Sequence, residues 1–411
     1  MKKLTTSFLA LFLMNVCPAV VYAQYTFFNP KEGFAIEVSL DNTDLKRLPI
    51  YRNSISSMAV VGDHVVGGTS AKEGLNPFVF VASIKERQLK TFTDLNEVIA
   101  GQRSISTGYV KGKNGVLFAG TIANKKSDGS TGEGHLMQIR IGSDAKINIE
   151  DLGVPVAGEG IFSLVGDAKG TTLFGVTFPS GIFFKYNIAR KEVKTFKDLV
   201  PTQKDIRKFH EYALEPQDYL SKALVEDNSG LIYGSGPVNR IFTFNPKDDS
   251  FKFLDDNLPE VWGRRTLGQV ESWAKSSQGI LFGGNAGDGQ LFSIDPATKK
   301  VRNLGKVMMM PRLRALTFAK DGKLYGIAGG APGYAHLFSY DPKGEGFVDL
   351  GNPEFNMVAP GIEQGIMWRG FQIGTMATSE DGKYIVMGED EDLSQLLIFA
   401  VGEYNEGRIG Y

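Results

Sequence analysis

Short apolar segments separated by turn residues recur along most of the chain. Apolar positions alternate with polar ones or form short blocks, and no sustained 3.6-residue period indicates helices. One motif, two apolar residues followed by a small one, occurs seven times, with the small residue at 67, 119, 175, 234, 283, 326 and 386. The copies are 43 to 60 residues apart. Such a period is typical of repeat architectures, and we number the repeats one to seven.

Each copy of the motif lies in a predicted strand with a further strand before it and two after it. In repeat one these strands are SISSMAVV (54–61), VVGGT (65–69), FVFVAS (78–83) and LKTFTDL (89–95), and repeat two begins with SISTGYVK (104–111). Repeat seven lacks the fourth strand at the C-terminus, and FAIEVSL (34–40) can supply it. That pairing removes the open sheet edge. The pattern predicts an all-β fold, a single seven-bladed β-propeller with four antiparallel strands per blade over residues 24–411.

Composition agrees with many short strands and restricts the function. The 49 Gly, 28 Phe and 14 Tyr residues favour strands joined by tight turns. A net charge of −1 lacks the basic excess of a nucleic-acid-binding protein. We therefore expect neither nucleic acid nor a membrane as a partner, and we expect a monomer.

The first 23 residues have the pattern of a signal peptide. Lys2 and Lys3 precede an apolar run from Phe8 to about Val21, and the segment ends at the small residue Ala23. Cys17 allows a lipoprotein alternative, although a lipoprotein signal favours a small residue where Val16 stands. Cleavage after Ala23 predicts a periplasmic or secreted protein without cysteine, hence without disulfides or thiolate chemistry.

Arginine is concentrated in the connections that are expected to meet at one mouth of the propeller channel. These are the links from the fourth strand of a blade to the next first strand, and from second to third strands. The candidates for substrate binding are Arg103, Glu159, His210, Arg240, Arg264, Arg265, Arg312, Arg314, His336, Trp368 and Arg369. Guanidinium groups beside aromatic rings suit an acidic oligosaccharide. The alternative is that these arginines pair with loop carboxylates and keep the surface solvated.

The four histidines occupy different kinds of position. His135 and His336 open equivalent third strands on the mouth face, His210 lies in the longest connection, and His64 lies in a turn on the opposite face. No zinc-binding pattern, G-x-S-x-G motif or P-loop is present in the sequence. We expect no cofactor, and a structural cation in the channel stays open.

The chain resembles exported seven-bladed propeller enzymes that remove L-rhamnose linked α-1,4 to D-glucuronate on arabinogalactan proteins and gum arabic. The resemblance covers the mature chain and rests on the signal peptide, FAIEVSL, the GGT and LFGG steps, and the GHL (134–136) and HLF (336–338) strand openings. It implies cleavage at the rhamnose–glucuronate bond by β-elimination or hydrolysis. Lyases of this kind use two histidines, a tyrosine and an arginine. His135 matches one histidine, whereas Arg103 stands in place of the second.

Four alternatives to elimination at His135 remain open at the level of sequence. Some members of the group hydrolyse the bond on the opposite face through a lone histidine, for which His64 is the candidate. The protein can also be a non-catalytic propeller that binds acidic glycan or a protein partner, or an enzyme acting on another uronate. A metal-dependent lactonase would require inward carboxylates, for which only Glu159, Glu271 and Glu363 are suitably placed.

Overall fold

The computed structural model describes residues 25–41, 46–196, 215–236, 239–259, 269–308, 312–329, 334–344, 346–359, 367–370, 372–392, 395–402 and 408–410. These residues form strands and three short 3-10 helices, Leu95–Glu97, Lys113–Gly115 and Pro216–Asp218. The predicted signal peptide lies outside the described residues and stays a prediction. No described helix has the length and apolarity needed to span a membrane.

The strands of the first two repeats join in one sheet. After β1 (Tyr25–Phe28) and β2 (Gly33–Glu37), repeat one comprises β3 (Ser54–Val61), β4 (His64–Ser70), β5 (Phe78–Ser83) and β6 (Gln88–Asp94). Repeat two comprises β7 (Gln102–Ile105), β8 (Val110–Lys111), β9 (Leu117–Ala123), β10 (Leu136–Ile141) and β11 (Ile147–Gly153). A bridge between Ser70 of β4 and Ser104 of β7 joins the two repeats.

The next three repeats each form a separate sheet of four antiparallel strands in chain order. Repeat three is β12 (Gly160–Gly166), β13 (Thr172–Phe178), β14 (Phe183–Asn187) and β15 (Glu192–Phe196). Repeat four is β16 (Leu224–Glu226), β17 (Ile232–Ser235), β18 (Arg240–Asn245) and β19 (Ser250–Asn257). Repeat five is β20 (Val270–Lys275), β21 (Leu281–Asn285), β22 (Gln290–Asp295) and β23 (Lys300–Lys306).

The last two repeats share a sheet with the N-terminal strands. Repeat six is β24 (Leu313–Phe318), β25 (Leu324–Ala328), β26 (His336–Asp341) and the long β27 (Gly346–Ala359). The short β28 (Met367–Arg369) follows, and then β29 (Ile373–Thr378), β30 (Tyr384–Glu389), β31 (Gln395–Ala400) and β32 (Arg408–Gly410). Strand β2 pairs antiparallel with β31 and parallel with β27. The predicted pairing of the N-terminal segment with repeat seven is therefore present, over Gly33–Glu37 rather than 34–40.

The small residue of each repeat lies opposite a large residue of the following strand. Five repeats pair Gly with Phe: Gly67–Phe80, Gly175–Phe184, Gly234–Phe242, Gly283–Phe292 and Gly326–Phe338. A Cβ built on Gly67 would lie 2.0 Å from the Phe80 ring, so nothing larger than glycine fits there. Repeat two pairs Ala119 with Met137, and repeat seven pairs Val386 with Ile398. The small residue of the motif thus recurs because it leaves room for the large side chain opposite it on the next strand.

Hydrophobic clusters lie between consecutive repeats and connect the last repeat to the first. For example, Phe174 and Phe183 of repeat three pack with Phe242 and Phe244 of repeat four. Another cluster contains Ile55 and Phe80 of repeat one together with Val386 and Ile398 of repeat seven, as well as Phe34 and Ile36 of β2. Because this last cluster joins the two ends of the chain, the repeats follow one another around a closed ring.

The first strand of repeat two differs from the prediction. The sequence SISTGYVK predicts one strand, whereas the structure has β7 and β8 separated by Ser106–Tyr109. In this interval the Thr107 hydroxyl, rather than a backbone carbonyl, accepts a hydrogen bond from the Gly120 amide at 2.9 Å. A side chain thus replaces a ladder bond, and the strand breaks beside Tyr109.

Candidate functional site

A cavity of about 450 Å³ lies at the centre of the ring, and every repeat contributes to its wall. The lining comes from the first strand of each repeat or from the residues beside it: residues 56–58, 106 with 108–109, 163–164, 222–224, 271–273, 314–316 and 374–376. Strands β3, β20, β24 and β29 contribute residues from their N-terminal halves. The cavity is therefore at the end of the channel where the connections between repeats arrive.

A β-bulge at the same place in five first strands determines which side chains face this cavity. The register shifts across Ser56, Phe162, Glu271, Arg314 and Gly374. A bulge leaves one residue unpaired and re-aims its side chain. Serines at or next to the bulges form hydrogen bonds to the adjacent repeat. The Ser56 hydroxyl donates to the Ile105 carbonyl at 2.7 Å, and the Ser272 hydroxyl donates to the Leu313 carbonyl at 3.0 Å. The wall is thus held in a fixed arrangement.

Five charged side chains meet on one side of the cavity. Arg312 binds Glu271 with two hydrogen bonds, one of them from Nε to Oε2 at 3.1 Å, and Lys222 Nζ lies 3.9 Å from Glu271 Oε1. Arg314 forms an ion pair with Asp390 through Nη2. Lys222, Arg312 and Arg314 therefore lie beside Glu271 and Asp390, and the charge of Asp218 also acts on Lys222. A substrate carboxylate would find a charge-assisted partner in Arg314.

Arg312 adopts a backbone conformation that is uncommon for its residue type. Its φ angle is 69°, in the left-handed region, and it immediately precedes β24. Such a conformation costs on the order of 1–3 kcal/mol and persists only where the surroundings hold it. The two hydrogen bonds to Glu271, whose side chain is only 9% exposed, are contacts that hold it. The Arg312–Glu271 pair therefore has a structural role in the wall.

Burial and the neighbouring charges shift the pKa values of this cluster. Burial lowers the pKa of the Lys222 ammonium, Arg312 and Arg314 lower it further, and Glu271 opposes the shift. Burial alone would raise the pKa of Glu271, but the hydrogen bond from Arg312 and the charge of Lys222 outweigh burial and lower it. The hydrogen bond that Arg312 donates to Glu271 raises the pKa of Arg312. Lys222 thus loses its proton more readily than an exposed lysine, while Glu271 stays ionised.

Four buried polar atoms on the cavity wall have no hydrogen-bond partner among the described residues. They are Arg314 Nε, Tyr109 Oη, Ser163 Oγ and Thr375 Oγ1, from four different repeats. The Arg314 side chain is only 10% exposed, and its other edge is held by Asp390. Burying an unpaired polar group costs about 1–3 kcal/mol. A polar ligand in the cavity can satisfy these atoms.

Tyr109 owes its position to the break between β7 and β8. Its side chain packs over Gly68, where a Cβ built on the glycine would lie 2.7 Å from the hydroxyl. Burial raises the pKa of Tyr109, so its phenol keeps its proton throughout the physiological pH range. The cavity thus contains a protonated phenol, an unpaired guanidinium edge and a lysine whose pKa is lowered.

Acidification provides a test of the Glu271 interactions. Because its pKa is lower in the folded protein, Glu271 stabilises the fold above its unfolded pKa, and this contribution is lost as pH falls through the folded pKa. We expect Glu271→Gln to be less stable than the wild type at neutral pH. Urea unfolding between about pH 7 and pH 3 should show a smaller acid-induced loss for the variant than for the wild type. Equal losses would contradict the role given to Glu271.

The two histidines at equivalent strand openings each bind an aspartate of the neighbouring outer strand. His135 Nδ1 lies 2.9 Å from Asp151 Oδ1, and His336 Nδ1 lies 3.2 Å from Asp349 Oδ1. Each aspartate also accepts the backbone N–H of a positive-φ glycine two residues later, Gly153 or Gly351. Neither histidine is among the residues lining the central cavity.

Repeat five forms the same contact without a histidine. There the Asn303 amide donates to Gln290, and Asn303 accepts the N–H of Gly305, which also has a positive φ. In repeat five, the neutral Asn303–Gln290 pair therefore occupies the place of the His–Asp pair, at the same irregularity of the outer strand. The recurrence indicates that the His135–Asp151 contact stabilises a strand bulge.

This comparison predicts the effect of changing His135. The double variant His135→Gln, Asp151→Asn, which copies the repeat-five pair, is expected to stay within about 0.5 kcal/mol of wild-type stability because it retains the contact. It should also keep most of the activity. Thermal unfolding and turnover measure the two effects. A loss of turnover of about 100-fold or more would instead return the reaction to His135.

The structure places the other predicted residues apart from one another, outside the residues that line the cavity. Arg103 Nε donates a long bond of 3.4 Å to the Ala71 carbonyl, and the Arg240 guanidinium lies 3.7 Å from the centre of the Phe253 ring. Glu159 is buried and accepts two hydrogen bonds from Ser180. Trp368 lies on β28 and packs against a core cluster, and His64 begins β4 after a tight turn.

Some predicted residues fall on parts of the chain that the structure does not describe. His210, Arg264 and Arg265 lie outside the described residues, as does the side chain of Arg369. Of the predicted arginines, the structure brings Arg312 and Arg314 together. Sequence reasoning did not select Lys222, Asp390 or Tyr109. Lys222 could have been found by aligning the repeats, because it lies at the repeat position that Glu271 and Arg314 occupy.

No protein-family model and no curated protein sequence matches the chain. Solved structures do match it. A streptogramin B lyase has a TM-score of 0.58 and 8% identity, over 90% of this chain and 98% of that chain. Periplasmic gluconolactonase of Pseudomonas aeruginosa has a TM-score of 0.51 and 15% identity, over 71% and 83%. Both are propeller proteins. The chain has a β-propeller fold.

A third match is the extracellular domain of a putative one-component system from B. thetaiotaomicron. Its TM-score is 0.52 and its identity 12%, over 92% of this chain but only 40% of that chain. These identities show the fold alone. Two of the three propellers are enzymes by name, and two are described as periplasmic or extracellular.

The carboxylates and histidines that the structure describes do not form a cluster of metal ligands. Among the described residues, no group of three or more His, Cys, Asp or Glu side chains is arranged to hold a metal ion. Glu271, which sequence reasoning considered as an inward carboxylate, is paired with Arg312. Glu363 lies outside the described residues.

Proposed function

We propose that the protein is an exported seven-bladed propeller enzyme that cleaves a sugar linked to O4 of a glucuronate residue, by β-elimination in the central channel. The seven repeats are its blades. The observation that carries the proposal is the Arg314 guanidinium, which lines the cavity, is nearly buried, is held at Nη2 by Asp390 and has no hydrogen-bond partner at Nε among the described residues. This is the geometry of a carboxylate receptor.

Three side chains supply the roles that elimination requires. Arg314 binds the uronate carboxylate and stabilises the charge that develops beside it. Lys222 in its neutral form takes the proton from C5, and its pKa, lowered by burial, makes that form accessible. Tyr109 gives its proton to the leaving oxygen. The C5–H and C4–O bonds break, a C4=C5 double bond forms, and the released sugar carries a free hydroxyl group.

The remaining charged groups keep these three in place. Glu271 holds Arg312 and lies close to Lys222, and Asp390 fixes one edge of Arg314. Removal of Asp390 leaves the nearly buried Arg314 without its counter-charge, and removal of Arg312 leaves the buried Glu271 without its hydrogen-bonded partner, which destabilises a site of this kind. The carboxylates Glu271 and Asp390 are both engaged by arginine. Hydrolysis, which needs a free acid and a free base, is therefore less well supported than elimination.

The substrate class follows from the Arg314 guanidinium, which suits a carboxylate, and from the family resemblance. The resemblance implies L-rhamnose linked α-1,4 to D-glucuronate, as in arabinogalactan-type glycans. A role for His135 or His64 in the reaction stays a prediction. A non-catalytic propeller that binds acidic glycan is the second candidate, because the same Arg314 edge would serve binding alone.

Incubation with gum arabic tests the proposal. We expect free rhamnose to appear together with ultraviolet absorbance from an unsaturated uronate. Rhamnose without absorbance would show hydrolysis and contradict elimination. Neither signal, combined with measurable binding of a glucuronate oligosaccharide, would leave the protein as a binding propeller.

A further inference from the structure

A second cavity, of about 660 Å³, lies between repeats five and six. Its lining includes the turn between β20 and β21 (276–278) and the turn between β26 and β27 (342–343). The channel residues Glu271 and Arg314 lie near the opposite ends of β20 and β24. The cleft therefore opens on the face of the ring away from the channel site.

One repeat position accounts for this cleft. In repeat three the position holds Lys185, which fills the space toward repeat four by donating to the Pro246 carbonyl at 3.0 Å and to Asp249 at 3.2 Å. The strand register places Thr243 at this position in repeat four and Ser293 in repeat five. The space beside Thr243 is about 260 Å³, and the space beside Ser293 is about 660 Å³. From repeat three to repeat five, the side chain at this position becomes shorter and the space beside it becomes larger.

The cleft combines an apolar floor, neutral polar groups and a cationic rim. Ile280, Phe282 and Phe318 contribute to the floor. Ser277, Gln278 and Ser293 contribute hydroxyl and amide groups whose side chains have no hydrogen-bond partner among the described residues. Lys300, Arg302 and Lys343 supply three cationic groups beside one carboxylate, Asp295. Lys300 Nζ lies 3.4 Å from Asp256 Oδ1, and its side chain is 71% exposed.

We infer that this cleft is a second binding site for the acidic glycan. The cleft would anchor a polymeric glycan while the channel site acts on the ends of that polymer. The inference rests on the proposed function for the class of ligand. An apolar floor accommodates the less polar face of a sugar ring, and the serine and glutamine side chains can both donate and accept bonds from hydroxyls. The rim lysines bind carboxylates as charge-assisted partners.

These features favour a glycan over an acidic peptide. A peptide that binds between two sheets would use an exposed strand edge for main-chain hydrogen bonds. Within the cleft, β22 is paired on both sides, with β21 and β23. Strand β23 is the edge strand of its sheet, and it contributes to the cleft through the side chains of Lys300 and Leu304. The recognition groups are side chains, and most of them are uncharged hydrogen-bonding groups or apolar surfaces suited to rings.

The test fills the cleft with the side chain that the protein uses in repeat three. Ser293→Lys would direct an ammonium group toward the Pro342 carbonyl, as Lys185 does toward Pro246. Thr243→Lys fills the smaller gap and is the matched control. Lys300→Glu with Lys343→Glu is the second variant, should Ser293→Lys fold poorly. Binding of a glucuronate oligosaccharide is measured by calorimetry in the Arg314→Met protein, where the channel receptor is removed.

We expect the Arg314→Met protein to retain one site for the oligosaccharide. Adding Ser293→Lys should weaken it about tenfold or more, whereas Thr243→Lys leaves it unchanged. In the wild-type background, Ser293→Lys should slow turnover of polymer and spare that of a short substrate. Equal binding with and without Ser293→Lys would overturn the inference, as would equal affinity for a carboxyl-reduced oligosaccharide or capture of an acidic peptide alone.

The two proposals fail separately in this experiment. If the wild type cleaves nothing but Ser293→Lys still removes binding from the Arg314→Met protein, the cleft is a glycan site and the proposed reaction is wrong. If cleavage occurs and the Arg314→Met protein binds no oligosaccharide, the reaction stands and the second site is wrong.

Discussion

Lys222→Met is expected to lower turnover of a rhamnose–glucuronate substrate by at least about 100-fold, since general base catalysis contributes about 10²–10⁴-fold. The methionine keeps the length of the side chain and cannot accept the C5 proton. Wild-type turnover should rise with pH through the lowered pKa of Lys222, where the neutral amine becomes populated. The variant should lack that rise. Steady-state kinetics across the pH range measures both effects.

Two controls separate catalysis from charge. Lys222→Arg retains a cation near Glu271 but cannot act as a base, so KM should change little while kcat falls. Lys275→Met removes a lysine of β20 whose ammonium binds the Glu226 carbonyl, and it should leave turnover unchanged. A Lys222→Met enzyme with more than about a tenth of wild-type turnover would exclude Lys222 as the base.

Ile36→Ala is expected to reduce the free energy of unfolding by about 2–5 kcal/mol, the range for truncating a buried aliphatic side chain. Ile36 is fully buried in β2, where it pairs with Leu396 of β31 and packs in the cluster that joins repeat seven to repeat one. The cavity left by the truncation would weaken the contact that closes the ring. Urea unfolding at neutral pH measures the loss.

Val193→Ala is the matched control for Ile36→Ala. Val193 lies on the outer strand β15 and is 38% exposed, so its truncation should cost less than about 0.5 kcal/mol. Similar losses at the two positions would mean that β2 contributes no more to stability than an ordinary outer strand. The N-terminal strand would then not be what closes the ring.

The fold was accessible from the sequence because its repeat has a steric cause. The small residues at positions such as 67 and 283 must accommodate Phe80 and Phe292, so the pattern of small and large residues survives in the sequence. The pairing of the N-terminal segment with repeat seven followed from a missing strand. The extension of β27 to pair with β1 and β2 carried no local signal, since it depends on contacts between distant segments.

The site was accessible only in part. Loop arginines indicated an acidic ligand, and Arg312 and Arg314 do lie at the channel. The sequence could not show that a bulge turns Glu271 and Arg314 inward, because a register shift depends on the partner strand. The break that positions Tyr109 depends on a side-chain contact from Thr107 and was predicted as continuous strand. His135 was a candidate because it is a histidine that opens a third strand. Repeat five shows that the contact His135 makes with Asp151 can be formed without a histidine.

The position of the substrate carboxylate tests the central claim most directly. A crystal structure of the Lys222→Met protein with a rhamnose–glucuronate oligosaccharide would locate it. We predict the carboxylate within hydrogen-bond distance of Arg314 Nε, with the O4 linkage directed toward Tyr109. A carboxylate bound instead at Arg103, Arg240 or His135, with Arg314 Nε making no contact to the ligand, would contradict the account.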